Sequence, residues 1–143
     1  MVTSRLEHSI PTQPRLKAVR GAITVDADTP AAVDDAVHEL LDRLIAENDI
    51  DCRDLVSAIF SVTPDVRSRN PATSARALGW TDVPLMCVAE LETDGMLERC
   101  VRVLLHVSVS DGRRLTPVYL GKAACLRPDL LGTAPRALTA EAR

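Results

Sequence analysis

The chain has 143 residues, 46% of them apolar but only 2% aromatic, and a formal net charge of −3. That length fits one domain around a single core, and the scarcity of rings means a core of Val, Leu, Ile and Ala, which suits a strand-rich interior. A net negative chain with no Lys/Arg block lacks the clustered basic face that nucleic acid or an anionic membrane surface demands, and no apolar run reaches the roughly 18 residues of a membrane span.

Residues 1–15 are polar with two prolines, Pro11 and Pro14, and are expected to form a loose, disordered extension. They lack the apolar centre of a signal peptide, so the expected setting is cytoplasmic. Leu16 to Val25 reads as a strand, with Val19, Ile23 and Val25 on one face and Arg20 on the other. Thr29 before Pro30 is a helix start: the hydroxyl caps free N–H groups, and proline fits the first turn. Val33, Val37, Leu40, Leu41, Leu44 and Ile45 follow at helical spacing to an end near Asn48. Leu55 to Val62 is a second strand, stopped by Thr63-Pro64-Asp65.

Asn70-Pro71 opens a short helix through Leu78, with Gly79 as its stop. Val83 to Leu91 is apolar on both faces apart from Glu90, the pattern of a central strand. Thr93-Asp94-Gly95 turns the chain into Val101 to Val109, where a valine stripe alternates against Arg102, Leu104, His106 and Ser108. Asp111-Gly112 predicts a hairpin, from which Leu115 to Leu120 returns as a strand that Pro117 confines to an edge. Residues 131–143 form a Pro/Gly/Ala/Arg tail, expected to be flexible. The elements predict one α+β domain over 16–130, a mixed sheet with one long and one short helix. The helices cover one sheet face, and the apolar content favours another subunit on the other.

Cys52, Cys87, Cys100 and Cys125 have no Cys-x-x-Cys spacing and no accompanying His, so they read as reduced, buried small hydrophobes. His8, His38 and His106 are scattered over tail, helix and strand with no nucleophile placed beside them by motif. Only Lys17 and Lys122 of the 17 basic residues are lysine, so the abundance of arginine carries no weight and position must carry it. Arg20, Arg102 and Arg127 sit with Glu90 in or beside apolar runs, where an unpaired charge costs several kcal/mol unless it faces water or an opposite charge. Such arginines point to a small polyanion as ligand.

The order of these segments resembles the AroH-type chorismate mutases, the trimeric class. The motifs are Val-Arg-Gly-Ala-Ile-Thr-Val at 19–25, Ser-Val-Thr-Pro-Asp at 61–65, Leu-Gly-Trp at 78–80, Val-Pro-Leu-Met-Cys at 83–87, Val-Tyr-Leu at 118–120 and Leu-Arg-Pro-Asp-Leu at 126–130. The resemblance implies a homotrimer with a barrel-like core of sheets, active sites at subunit interfaces, and rearrangement of chorismate to prephenate without metal or cofactor. By motif position, Arg102 meets the charge developing on the ether oxygen and Glu90 accepts from the ring hydroxyl. Arg20 and Tyr119 hold a carboxylate, with Arg127 close to the substrate.

Cys87 falls beside the ring hydroxyl and Arg76 near a carboxylate, with Met86, next to Cys87, as a further substrate-binding candidate; core filling for Cys87 and a solvated helix position for Arg76 are the plainer alternatives. The short helix departs from the family. Asn70 stands where an aromatic residue normally closes over the substrate, and Thr73 where a lysine does, so Asn70 reads equally as a helix cap. Two other functions stay open: a trimeric imine-deaminase-like enzyme, and a non-catalytic trimeric binder of small dicarboxylates.

Overall fold

Residues 13–127 are described by this computed structural model, so most of the expected extension and all of the expected tail lie outside it. The chain runs β1 (Arg15–Thr24), α1 (Pro30–Glu47), β2 (Leu55–Val62), α2 (Pro71–Ala77), β3 (Leu85–Ala89), β4 (Cys100–Val109) and β5 (Val118–Leu120), with 3-10 turns at Cys52–Asp54 and Gly121–Leu126. Both helices start where side-chain caps are available. Thr29 Oγ1 accepts from the Ala32 N–H at 3.2 Å, and Asn70 Oδ1 from that of Ala72 at 2.9 Å, each satisfying a donor that the first turn leaves free.

The five strands form one sheet in the order β3-β2-β4-β1-β5. β4 lies at its centre, antiparallel to β1 and β2, while β3 runs parallel to β2 and β5 parallel to β1. Alternation along β4 buries Val101, Val103, Leu105, Val107 and Val109 under α1 and α2, in a core with Leu40, Leu41, Leu44 and Phe60. Its other side chains, Arg102 among them, point to the face the helices leave uncovered.

Two strand expectations are corrected. Val83–Leu91 supplies an edge strand, not a central one: its apolar residues divide between the core and the open face, where Met86 is 59% and Val88 42% exposed. A strand apolar on both sides therefore need not be flanked by strands on both edges. Asp111-Gly112 turns the chain, but the returning segment does not pair with β4. Arg113 Nη2 donates to the Asp49 carbonyl at 3.0 Å and the Thr116 N–H to Asn48 Oδ1 at 2.5 Å, which fastens the connection to the end of α1. It delivers only Val118–Leu120 to the far side of β1.

β1 lies tightly beneath α1. A Cβ on Gly21 would come 2.8 Å from Leu44 Cδ1 and 3.0 Å from Leu40 Cδ1, both on fully buried side chains. Gly21→Val therefore overpacks the core and is expected to lower unfolding stability by about 1–3 kcal/mol; an unchanged urea midpoint would contradict this packing.

Candidate active site

The position of the candidate site on the open face is set by register. Arg102 on β4 is opposite Ala22 of β1 and Ser61 of β2. Glu90 follows β3 directly, its N–H donating to the Val62 carbonyl at 2.9 Å, which turns its side chain back toward β4. Glu90 Oε1 lies 3.7 Å from Arg102 Nη1, with the two side chains 22% and 41% exposed. At that distance the groups attract as charges but share no hydrogen bond. The Ser61 hydroxyl donates to the other carboxylate oxygen, Oε2, and Arg102 Nε is buried with no hydrogen-bond partner among the described residues. Among the described residues the guanidinium is thus only partly hydrogen-bonded.

The Ser-Val-Thr-Pro-Asp motif fixes the start of β4. Buried Thr63 receives the Cys100 N–H on Oγ1 at 2.9 Å and donates to Asp65 Oδ1 at 2.6 Å. Asp65 also accepts from the Arg99 N–H at 2.9 Å, holding Arg99 in its left-handed conformation at φ 44°. Desolvation is the largest single influence on the Asp65 carboxyl and opposes its ionisation, but the hydrogen bonds from Thr63, the Arg99 N–H and its own backbone N–H, with the charge of Arg99, together outweigh it and hold the pKa below the usual carboxylate range.

A second part of the same face is a cleft of about 290 Å³ lined by Arg20, Tyr119 and Arg127 together with Ala18, Leu104 and Pro117. Arg20 projects from β1 opposite Leu104, and Tyr119 from β5 opposite Ala22. The Gly121–Leu126 turn packs Ala123 and Leu126 against Ala22, Cys100 and Tyr119 and brings Arg127 to the cleft. Arginine and phenol donors here suit a carboxylate.

The remaining expected site residues do not join these groups within one chain. Asn70, Thr73 and Arg76 are exposed on α2, whose apolar side belongs to the helix-covered core. The helix is pinned to α1 by Ser74 Oγ donating to Asp34 Oδ1 at 2.6 Å and Arg69 Nη2 to Asp34 Oδ2 at 3.2 Å. Met86 lies on the open face beside Ile59, whereas Cys87, in register with Phe60, packs at the edge of the main core. Burial raises the Cys87 thiol pKa, so it stays protonated at neutral pH.

Of the cysteines only Cys100 is buried, while Cys52 and Cys125 are exposed. The expectation of uniform burial fails because both exposed thiols sit on 3-10 turns at the protein's rim. His106 does have a hydroxyl neighbour, Ser57 Oγ at 3.2 Å from Nδ1, formed by cross-strand register. Ser61 was missed as a site residue, although the period-two alternation of β2 around buried Phe60 places it on the open face.

Among the described residues, a mixed sheet packed by helices on one side, with an arginine and a carboxylate side by side on the other, defines an α+β protein with a charge pair on its helix-free face. Residues 16–130 match the family described as Chorismate mutase type I. The chain is 37% identical over 117 residues to Chorismate mutase AroH of Bacillus subtilis (strain 168), covering 80% of this chain and 92% of that protein. It is 42% identical over 117 residues to Chorismate mutase AroH of Thermus thermophilus, covering 80% and 96%. A solved chorismate mutase from Clostridium thermocellum superposes with a TM-score of 0.73 at 37% identity, over 76% of this chain and 98% of that one. The chain belongs to the type I chorismate mutase family.

The Asp65 clamp gives a pH prediction. A carboxyl whose folded pKa lies below its unfolded value of about 3.9 stabilises the fold fully above that value and loses the effect as pH falls through the folded one. The stability gap between wild type and Asp65→Ala, measured by denaturant unfolding, should be full at neutral pH and close below about pH 4. A gap that widens on acidification would contradict the depressed pKa.

Proposed function

We propose that this chain catalyses the intramolecular Claisen rearrangement of chorismate to prephenate, as a cytoplasmic homotrimer serving phenylalanine and tyrosine synthesis. The observation that carries the reading is Arg102, held on the open face of the central strand 3.7 Å from Glu90, in a chain of this family.

The reaction breaks the ether C–O bond ahead of forming the new C–C bond, all within one molecule, so it needs no external proton, electron or co-reactant. Negative charge grows on the ether oxygen while the ring fragment becomes electron-poor. A guanidinium already aimed at that oxygen stabilises the transition state more than the substrate. The Arg102 guanidinium presents its donors in a fixed plane. Glu90 accepts from the ring hydroxyl, and its charge favours the electron-poor ring fragment. The cleft of Arg20, Tyr119 and Arg127 receives a carboxylate and sets the orientation in which the two reacting carbons meet.

What one chain leaves unfinished supports the reading of an oligomer, which we take to be the trimer. Leu16, Ile59, Met86 and Val88 are exposed on or beside the sheet face that carries Arg102, an arrangement that favours burial against a neighbour. A second subunit can also present its Asn70, Thr73 and Arg76 to this face, which α2 of the same chain cannot reach. Met86 and Cys87 would then lie near the shared boundary. Asn70 is occupied in capping α2, so it does not replace the aromatic cover that the family resemblance leads one to expect there.

Arg102→Ala should lower kcat by at least about a hundredfold, the loss expected for one pre-organised donor, with fold and oligomer retained. Citrulline at 102 keeps the shape without the charge and should also lose most activity. A variant with near-normal kcat and only a raised KM would show that Arg102 binds substrate and transition state equally, and its catalytic role would fall.

A further inference from the structure

Ser61 lies on β2 directly opposite Arg102 and gives its only proton to Glu90 Oε2. The three side chains come from the central strand, its neighbour and the end of the edge strand, so backbone pairing fixes where each begins. What pairing leaves open is the rotation of the Glu90 carboxylate about its side-chain torsions. An untethered carboxylate beside a guanidinium closes to a charge-assisted, often bidentate contact near 2.7–2.9 Å. Here Oε1 stays at 3.7 Å from Arg102 Nη1, and Arg102 Nε has no hydrogen-bond partner among the described residues.

We propose that Ser61 is a positioning residue for the rearrangement: its hydroxyl holds Glu90 by one oxygen and keeps the carboxylate from collapsing onto Arg102. The donors of Arg102 stay free for the ether oxygen, and Glu90 Oε1 stays free for the substrate hydroxyl. The inference rests on the roles given above to Arg102 and Glu90. Without the Ser61 hydroxyl the Arg102–Glu90 pair tightens, so charge meant for the transition state is spent within the resting site. The fault then lies in kcat more than in KM, because the carboxylate-binding cleft around Arg20 is untouched.

The test is a double-mutant cycle followed by the fall in chorismate absorbance, with thermal unfolding of each variant as the control for fold. Ser61→Ala should lower kcat about tenfold to a hundredfold, the scale of a misplaced reacting group, while KM changes by less than about threefold. Ser61→Thr, which keeps the hydroxyl, should stay within about threefold of wild type, whereas Ser61→Val, nearly its isostere, should behave like the alanine variant. In a Glu90→Ala background, adding Ser61→Ala should cost less than about twofold, since the group it positions is gone. Full activity in Ser61→Ala alongside strong loss in Glu90→Ala would overturn the role of Ser61 alone. So would an equal loss from Ser61→Ala in both backgrounds, or a folded Ser61→Thr no better than Ser61→Val. Full activity in Glu90→Ala would overturn the reading of the site, and Ser61 with it.

Discussion

The structure depends on the alternation of β4. A central strand must give one row of side chains to the core, and Val101, Val103, Leu105, Val107 and Val109 do so at no more than 2% exposure. The same geometry obliges Arg102, between two of those valines, to project from the opposite face. Strand pairing on both sides then fixes where the side chain begins and leaves its charge little positional freedom. Glu90 and Ser61 occupy the neighbouring positions that the ladder supplies. The Thr63–Asp65–Arg99 clamp sets the register at which this arrangement begins.

Burying one sheet face under two helices leaves the other face carrying both the charged groups and exposed apolar side chains. Those features suit an anion bound at a contact between chains, with apolar residues closing around a polar centre. α2 takes part in this only indirectly. Pinned to α1 through Asp34, it holds Arg76 and Thr73 outward on the far side of the sheet, where they complete nothing in their own chain but can face a neighbour.

Much of this was legible in the sequence, for identifiable reasons. Period-two and helical spacing placed β1, β2, β4 and α1 within a residue or so, because each buries one face and exposes the other. Thr29 and Asn70 marked their helix starts because capping is local chemistry. Pairing order was not legible: β3 looked central because both of its sides are apolar, and β5 looked like a hairpin partner because Asp111-Gly112 turns the chain, while the ties of Arg113 and Thr116 to the end of α1 are long-range contacts. For the site, Arg20, Glu90 and Arg102 stood out as charges in or beside apolar runs. Ser61 did not, since a serine in a strand carries no signal until a carboxylate from another strand is seen to reach it.

The central claim is that Arg102 and Arg76 serve one site from two different chains. The most direct measurement unfolds Arg102→Ala and Arg76→Ala proteins, each much less active than wild type, and refolds them together so that subunits assort at random. If the site is shared in a closed ring of three, about a quarter of all sites receive both wild-type arginines, and chorismate conversion should rise to that fraction of the wild-type rate. Activity no greater than that of the two variants refolded apart would place both arginines in one chain's site, or one of them outside it, and contradict the account.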